Sequence, residues 1–297
     1  MLRSLKRIFQ IPLLQLLSLF FVVIVVSVRA NAAPAGEKAN SLSVEGHFEQ
    51  GGIIFGHIGS GEVLLDGKPL RLGPNGDFVF GIGRDAPAEL ELTLKDGDRE
   101  IKQVRYHVAK REYKIQRVNG VQQKHVNPPE TVLKRIRDEA AKVRKARRLD
   151  DDRLDFKQSF IWPLVGPITG VYGSQRVYNG TPKSPHYGVD IAAPVGTNVR
   201  APAAGVVTLA EPDLYYSGGT LILDHGHGLS STFIHLSKLL VKVGQRIVQG
   251  QDIAQVGATG RATGPHLDWR MNWFEVRVDP QLLMADTPMQ LNEKTDN

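Results

Sequence analysis

Gly257-Ala258-Thr259-Gly260-Arg261-Ala262-Thr263-Gly264-Pro265-His266-Leu267-Asp268-Trp269 decides how this chain reads. Glycine and proline mark the stretch up to Pro265 as a turn. The residues that follow alternate polar and apolar, so His266 and Asp268 share one face of a strand while Leu267 and Trp269 share the other. Two segments further back place the same residue types in similar settings. In Pro185-His186-Tyr187-Gly188-Val189-Asp190 a histidine and an aspartate stand four apart, and a strict strand turns both to one side. In Phe233-Ile234-His235-Leu236 a histidine ends an apolar strand.

Each of these histidines taken alone reads as structural; together they point to one polar groove. The chain has no cysteine, so a metal in such a groove must be held by His, Asp and Glu, and disulfides and thiol nucleophiles are excluded. A catalytic zinc takes three protein ligands and keeps a fourth position for water. The metal then acidifies water and polarises a carbonyl, and a nearby imidazole can serve as base or hold an oxyanion. His225-Gly226-His227 also has a His-x-His spacing, but it follows Leu221-Ile222-Leu223-Asp224 among glycines and reads as a turn rather than a ligand pair.

Around these segments the chain from 159 to 285 is rich in glycine, proline and short apolar runs. Val199 to Leu209, Gly219 to Asp224, Ser231 to His235 and Asp252 to Gly257 are expected strands of an antiparallel sheet folded on itself, its strand ends feeding one metal groove. Residues 41–120 also read as short strands. Ser43 to Phe48 alternates, Asp66-Gly67, Asn75-Gly76 and Asp96-Gly97 mark turns, and Glu89 to Leu94 and Ile101 to Val108 are further strands. The expectation is a small accessory β-sandwich. Between the two, 128–158 reads as a basic connector helix, capped by Thr131 and carrying Val132, Ile136, Ala140 and Val143 at helical spacing. The chain is thus expected to be mainly β.

The segment 1–32 begins with Arg3, Lys6 and Arg7, continues as an apolar run to Val28 and ends near Ala30-Asn31-Ala32, the pattern of a cleaved signal peptide. The apolar run is also long enough to anchor the chain in a membrane if left uncut. Either way the remainder is expected to be exported, in the periplasm or cell envelope, after a spacer at 33–40; 286–297 reads as a polar tail. The net charge of +6 over 297 residues suits an anionic partner. Export argues for a cell-wall polymer and against nucleic acid.

The ordered set of motifs resembles the lysostaphin- or LytM-type zinc endopeptidases, which cut peptide bonds in peptidoglycan. The resemblance runs from about Trp162 to Leu283. It rests on His186-Tyr187-Gly188-Val189-Asp190-Ile191-Ala192, Pro194-Val195-Gly196-Thr197 and Ala201-Pro202-Ala203-Ala204-Gly205-Val206-Val207. His235-Leu236-Ser237, Val243-Gly244-Gln245, Gln249-Gly250 and the stretch Gly257 to Leu267 complete it. It implies one zinc per chain, with His186 and Asp190 as the first two ligands and His235 and His266 as histidines that assist the chemistry. The family's third ligand is the second histidine of an HxH motif, and that position is Asp268 here. An Asp oxygen can bind zinc, yet two carboxylates cancel the ion's formal charge and make its bound water less acidic.

Two functions follow. The first is an exported zinc metalloendopeptidase acting on peptidoglycan cross-links or stem peptides. The second is a degenerate domain of the same type that binds cell wall or activates a partner amidase or other hydrolase. A biotinyl- or lipoyl-type carrier is excluded, because no lysine lies between Gly244 and Asn292 to receive the group.

Overall fold

The computed structural model describes residues 41–119 and 129–284. The expected signal segment, spacer and polar tail lie outside the described residues. What is described is mainly β, as expected.

The N-terminal part pairs β1 (Leu42–Gly46), β2 (Ile53–Ile58) and β5 (Asp77–Gly81) in one antiparallel sheet. A second sheet holds β3 (Glu62–Leu65), β4 (Lys68–Pro69), β6 (Glu89–Asp96) and β7 (Arg99–His107). Ile54, Phe78 and Phe80 of the first meet Val63, Leu92 and Leu94 of the second in one buried cluster. Side chains alternate along a strand, so Ile53, Phe55 and Val79 point the other way. There they join Phe156, Leu229 and Val278 in the core of the C-terminal part. The two parts are therefore held by a sheet buried on both faces.

β8 (Ile115–Val118) then crosses to pair in parallel with β10 (Gln175–Tyr178), which is itself paired with β11 (Thr181–Pro182). The connector is α1 (Glu130–Ala146). Thr131 does not cap it: the N-cap is Pro129, with no side-chain hydrogen bond. Proline already lacks a donor and fixes its φ, and Glu130 in the first turn with Arg144 and Lys145 in the last complement the helix dipole. Of the expected stripe, Val143 packs with Ala146 on Leu209, Leu214 and Ile222.

The C-terminal sheet runs in the order β17 (Arg246–Ile247), β14 (Gly205–Leu214), β15 (Gly218–Asp224), β16 (Leu229–Leu239), β19 (His266–Trp273), β12 (Val189–Ala192), β9 (Ile168–Gly170). β18 (Asp252–Val256) pairs with both β13 (Asn198–Arg200) and β16, and β20 (Val276–Val278) flanks β19. One face is the core, filled by Leu221, Leu223, Phe233, Leu267, Trp269 and Met271. The opposite face of β19 carries His266, Asp268, Arg270 and Asn272.

Candidate metal centre

Asp190 and Asp268 stand directly opposite each other on β12 and β19, as do Ala192 and His266. Antiparallel partners share a face, so pairing brings the residues of two distant motifs together. His186 is not on a strand, against the expectation for His186 and Asp190. It lies in the loop before β12, fixed by backbone hydrogen bonds with Gly173 and Ser174. The loop nonetheless delivers its ring: Nε2 is 3.0 Å from Asp190 Oδ1 and 3.3 Å from Asp268 Oδ2. The three residues offer ligand atoms within 4.8 Å of one another.

The other two histidines lie alongside. The His235 and His266 rings are 4.9 Å apart, and His266 Nε2 is 3.8 Å from Asp190 Oδ1. His235 sits in an irregular stretch of β16 with a left-handed φ of 66°, a conformation a non-glycine residue adopts at some cost. All three histidines are oriented the same way. Nδ1 of His186, His235 and His266 faces the carbonyls of Val171, Thr259 and Gly264 at 3.2, 2.8 and 2.8 Å. A carbonyl only accepts, so each Nδ1 carries the proton and each Nε2 is turned to the groove.

Electrostatics sharpen the site. Burial alone would push the His186 imidazole down, but the Asp190 and Asp268 carboxylates raise it to about 10. Burial would likewise raise Asp268, but the Arg270 guanidinium and His186 hold it well below the usual carboxylate range. Burial lowers His235, which favours its neutral form. Asp190 Oδ1 is buried and has no hydrogen-bond partner although an imidazole nitrogen is 3.0 Å away. Atoms that close without hydrogen-bond geometry are aimed at a common point, and one nitrogen with two carboxylate oxygens is a donor set suited to zinc.

Glycines leave room for the two carboxylates. A Cβ on Gly170 would lie 2.2 Å from Asp190 Oδ2, and one on Gly188 would lie 2.6 Å from Asp268 Oδ1. Arg270, beside the site in the sequence but given no role there, forks onto Asp268 from the same strand face. A period of two from Asp268 is the signal for that role. Trp269, on the other strand face with Leu267, points into the core, with its ring 5.9 Å from that of Trp162. His225 is a fully buried core residue, bonded to Ala204 O and Ser231 Oγ, and takes no part in the cluster.

A β-sheet groove with a His-Asp-Asp cluster beside two oriented histidines defines a candidate metallopeptidase. Residues 184–280 match the family described as Peptidase family M23. A crystal structure of a peptidase M23 from Pseudomonas aeruginosa is 31% identical, covers 79% of this chain and 94% of that one, and superposes with a TM-score of 0.61. The chain belongs to peptidase family M23. Among curated proteins it is similar to the peptidoglycan DD-endopeptidase ShyA of Vibrio cholerae, 38% identical over 105 residues, or 35% of this chain and 24% of that protein. It is also similar to the DD-carboxypeptidase/endopeptidase Mpg of Neisseria meningitidis, 38% identical over 103 residues, or 35% and 24%. The match thus spans about a quarter of each curated relative.

Proposed function

We propose that the chain is an exported, zinc-dependent endopeptidase that hydrolyses peptide bonds of peptidoglycan. The observation that carries this reading is the convergence of His186, Asp190 and Asp268 within 4.8 Å beside the His235–His266 pair. His186 Nε2 and one oxygen each from Asp190 and Asp268 would hold the ion. Zinc bound there supplies Lewis-acid polarisation of the scissile carbonyl and a more acidic water. His235, kept neutral by burial and with Nε2 free, takes a proton at neutral pH and returns it to the leaving amine. His266, its Nδ1–H fixed on Gly264 O, turns Nε2 to the groove, where that nitrogen, once it has taken a proton, donates to the developing oxyanion.

Arg270 answers the charge problem that Asp268 raises. A second carboxylate in place of a neutral imidazole adds one negative charge, and the guanidinium paired with it removes one. The ion would then see the net charge of a set with a single carboxylate. The names of the curated relatives support peptidoglycan as the substrate, and the basic n-region followed by an apolar run supports action in the cell envelope. If the host is Gram-negative, the D-alanyl-meso-diaminopimelate cross-link is the bond to assay.

A second reading draws on the same pair. Because Arg270 already binds both oxygens of Asp268, a metal-free domain that binds cell wall or activates another hydrolase is also self-consistent. Elemental analysis of the purified protein beside an Asp268→Ala variant decides between them. About one zinc per chain, lost in the variant, together with digestion of purified peptidoglycan supports the peptidase. A protein that stays metal-free after zinc is supplied overturns it and favours the activator.

A further inference from the structure

The sheet face that carries His266 and Asp268 continues into a group of buried cations that the proposed chemistry does not use. On β19, Arg270 and Asn272 follow Asp268. Arg270 stands opposite Thr232, and Asn272 stands opposite both Ser230 of β16 and Arg277 of β20. Antiparallel partners share a face, so these residues line one floor. Over Thr232 lies Arg147, the residue that ends α1.

Arg147 is only 4% exposed. Its Nη2 reaches Thr232 Oγ1 at 3.4 Å, and its Nε is buried with no partner. Asn272 Oδ1 accepts from Arg277 Nη1 at 3.1 Å, which leaves the Asn272 Nδ2 donor buried and unbonded, and Ser230 Oγ opposite it is unbonded as well. Among the described residues neither Arg147 nor Arg277 has a carboxylate within 4.0 Å. Asp268 is taken by Arg270, and Glu275, the other acid nearby, is exposed. Burial and the charges of Arg277 and Arg270 push the Arg147 guanidinium well below its ordinary range against Glu275. Burial and Arg270 bring Arg277 to about 10, opposed by Glu275, Tyr187 and Asp268.

Buried cations without a counter-charge are costly. Unused donors beside them on one floor are the parts of an anion site that a ligand completes. We infer that Arg147, Arg277 and the Asn272 amide form a carboxylate-binding subsite of the groove, which receives a free carboxylate of the peptide being cut. The assignment of the ligand as substrate rests on the peptidase reading above. Asn272 lies four residues along the strand from Asp268, about 13 Å, and the long arginine side chains shorten that reach. The subsite therefore suits a carboxylate one or two residues from the scissile bond, and the groove prefers acidic peptides to neutral ones. Arg277 is half-buried and also lines a cavity of about 570 Å³ with Arg84, Tyr187 and Trp273, so the subsite meets solvent at its Arg277 end.

The test uses the full chain kept metal-free with a chelator, so that binding is read without turnover. The probes are N-acetyl-D-alanyl-D-alanine and its C-terminal amide, titrated by calorimetry or by chemical-shift perturbation. The acid binds at least about tenfold more tightly than the amide, and Arg147→Met and Arg277→Met each lower acid affinity about tenfold while leaving amide binding unchanged. Arg277→Met lies outside the helix, so it keeps the test valid if Arg147→Met does not fold. Equal binding of acid and amide, or acid binding unchanged in the folded variants, overturns the subsite. Acid-selective binding by a zinc-loaded protein that leaves peptidoglycan intact overturns the peptidase reading alone, whereas digestion without acid selectivity overturns the subsite alone.

Discussion

Arg270 closes a fork on Asp268, its Nε reaching the two carboxylate oxygens at 2.9 and 3.1 Å and its Nη2 reaching Oδ2 at 2.5 Å, from two residues along the same strand. The Asp268 side chain is deep in the protein and Arg270 is partly buried over it, so the carboxylate needs that charge. Replacing Arg270 by Gln leaves the buried carboxylate with His186 as its one remaining cationic partner, which costs about 3 kcal/mol in the metal-free protein. Zinc would then take over the compensation. Melting temperatures with and without zinc should show a larger zinc-induced rise for Arg270→Gln than for the parent. An equal rise in both would mean that Asp268 does not approach the ion.

Asp268→His, which restores the family's histidine, should by itself bind zinc poorly. It strands the Arg270 guanidinium beside a neutral ring and a dication. The double variant Asp268→His/Arg270→Gln should recover zinc binding beyond the sum of the single changes, as contacting residues do. Competition with a chromogenic chelator measures all four proteins, and strict additivity would rule out the coupling.

Gly170→Ala puts a methyl group 2.2 Å from Asp190 Oδ2, with Asp190 Cβ only 3.1 Å away, so a simple turn of the carboxylate cannot relieve the contact. The expected outcome is a protein destabilised by about 1–3 kcal/mol and depleted in zinc. Gly83→Ala is the control, because Gly83 like Gly170 has no positive φ and its Cβ would meet only Val276 Cγ1 at 3.6 Å. It should keep its metal, and metal content of the two proteins side by side is the readout.

His225 gives the acid response a clear sign. Its ring is fully buried and held neutral, with its pKa lowered by burial to about 4. A depressed folded-state value means that the stabilisation is present above the unfolded value near 6.5 and is lost as pH falls from there toward 4. The loss is about 3 kcal/mol. Urea melts at pH 7 and pH 4.5 should differ, and His225→Gln, weaker at pH 7, should flatten that difference. A variant that keeps the parent's full pH response would place the acid sensitivity elsewhere.

Arg111 and Asp279 join the N-terminal sheets to the end of the C-terminal part. Arg111 Nη1 is 2.9 Å from Asp279 Oδ2, and Asp279 is 1% exposed. Arg111→Ala leaves that carboxylate buried with only the Gln281 backbone N–H to satisfy it. A loss of about 3 kcal/mol or more is expected in a denaturant melt, while the conservative Arg111→Lys keeps part of it.

Much of the site was legible because strands have a period of two. That spacing placed His266 and Asp268 together and turned Leu267 inward, and turn residues bounded β15 and β18 nearly as found. What was not legible depends on pairing between distant segments. β8 meets β10 from across the connector helix, a contact with no local signature. Thr131 looked like a cap because hydroxyl caps are common, yet Pro129 begins the helix through fixed backbone geometry. His186 was expected on a strand because a four-residue spacing fits one. The loop held at Gly173 and Ser174 reaches the same point by another route.

β2 and β5 give one side to each hydrophobic cluster, with Ile54 on one and Ile53 and Val79 on the other. A ribbon shared in this way leaves neither half a boundary along which to come apart. Heating should therefore yield a single calorimetric peak, and cutting the chain before Trp162 to obtain a minimal peptidase would uncover a sticky flank, so the shorter protein would self-associate where the whole one stays dispersed.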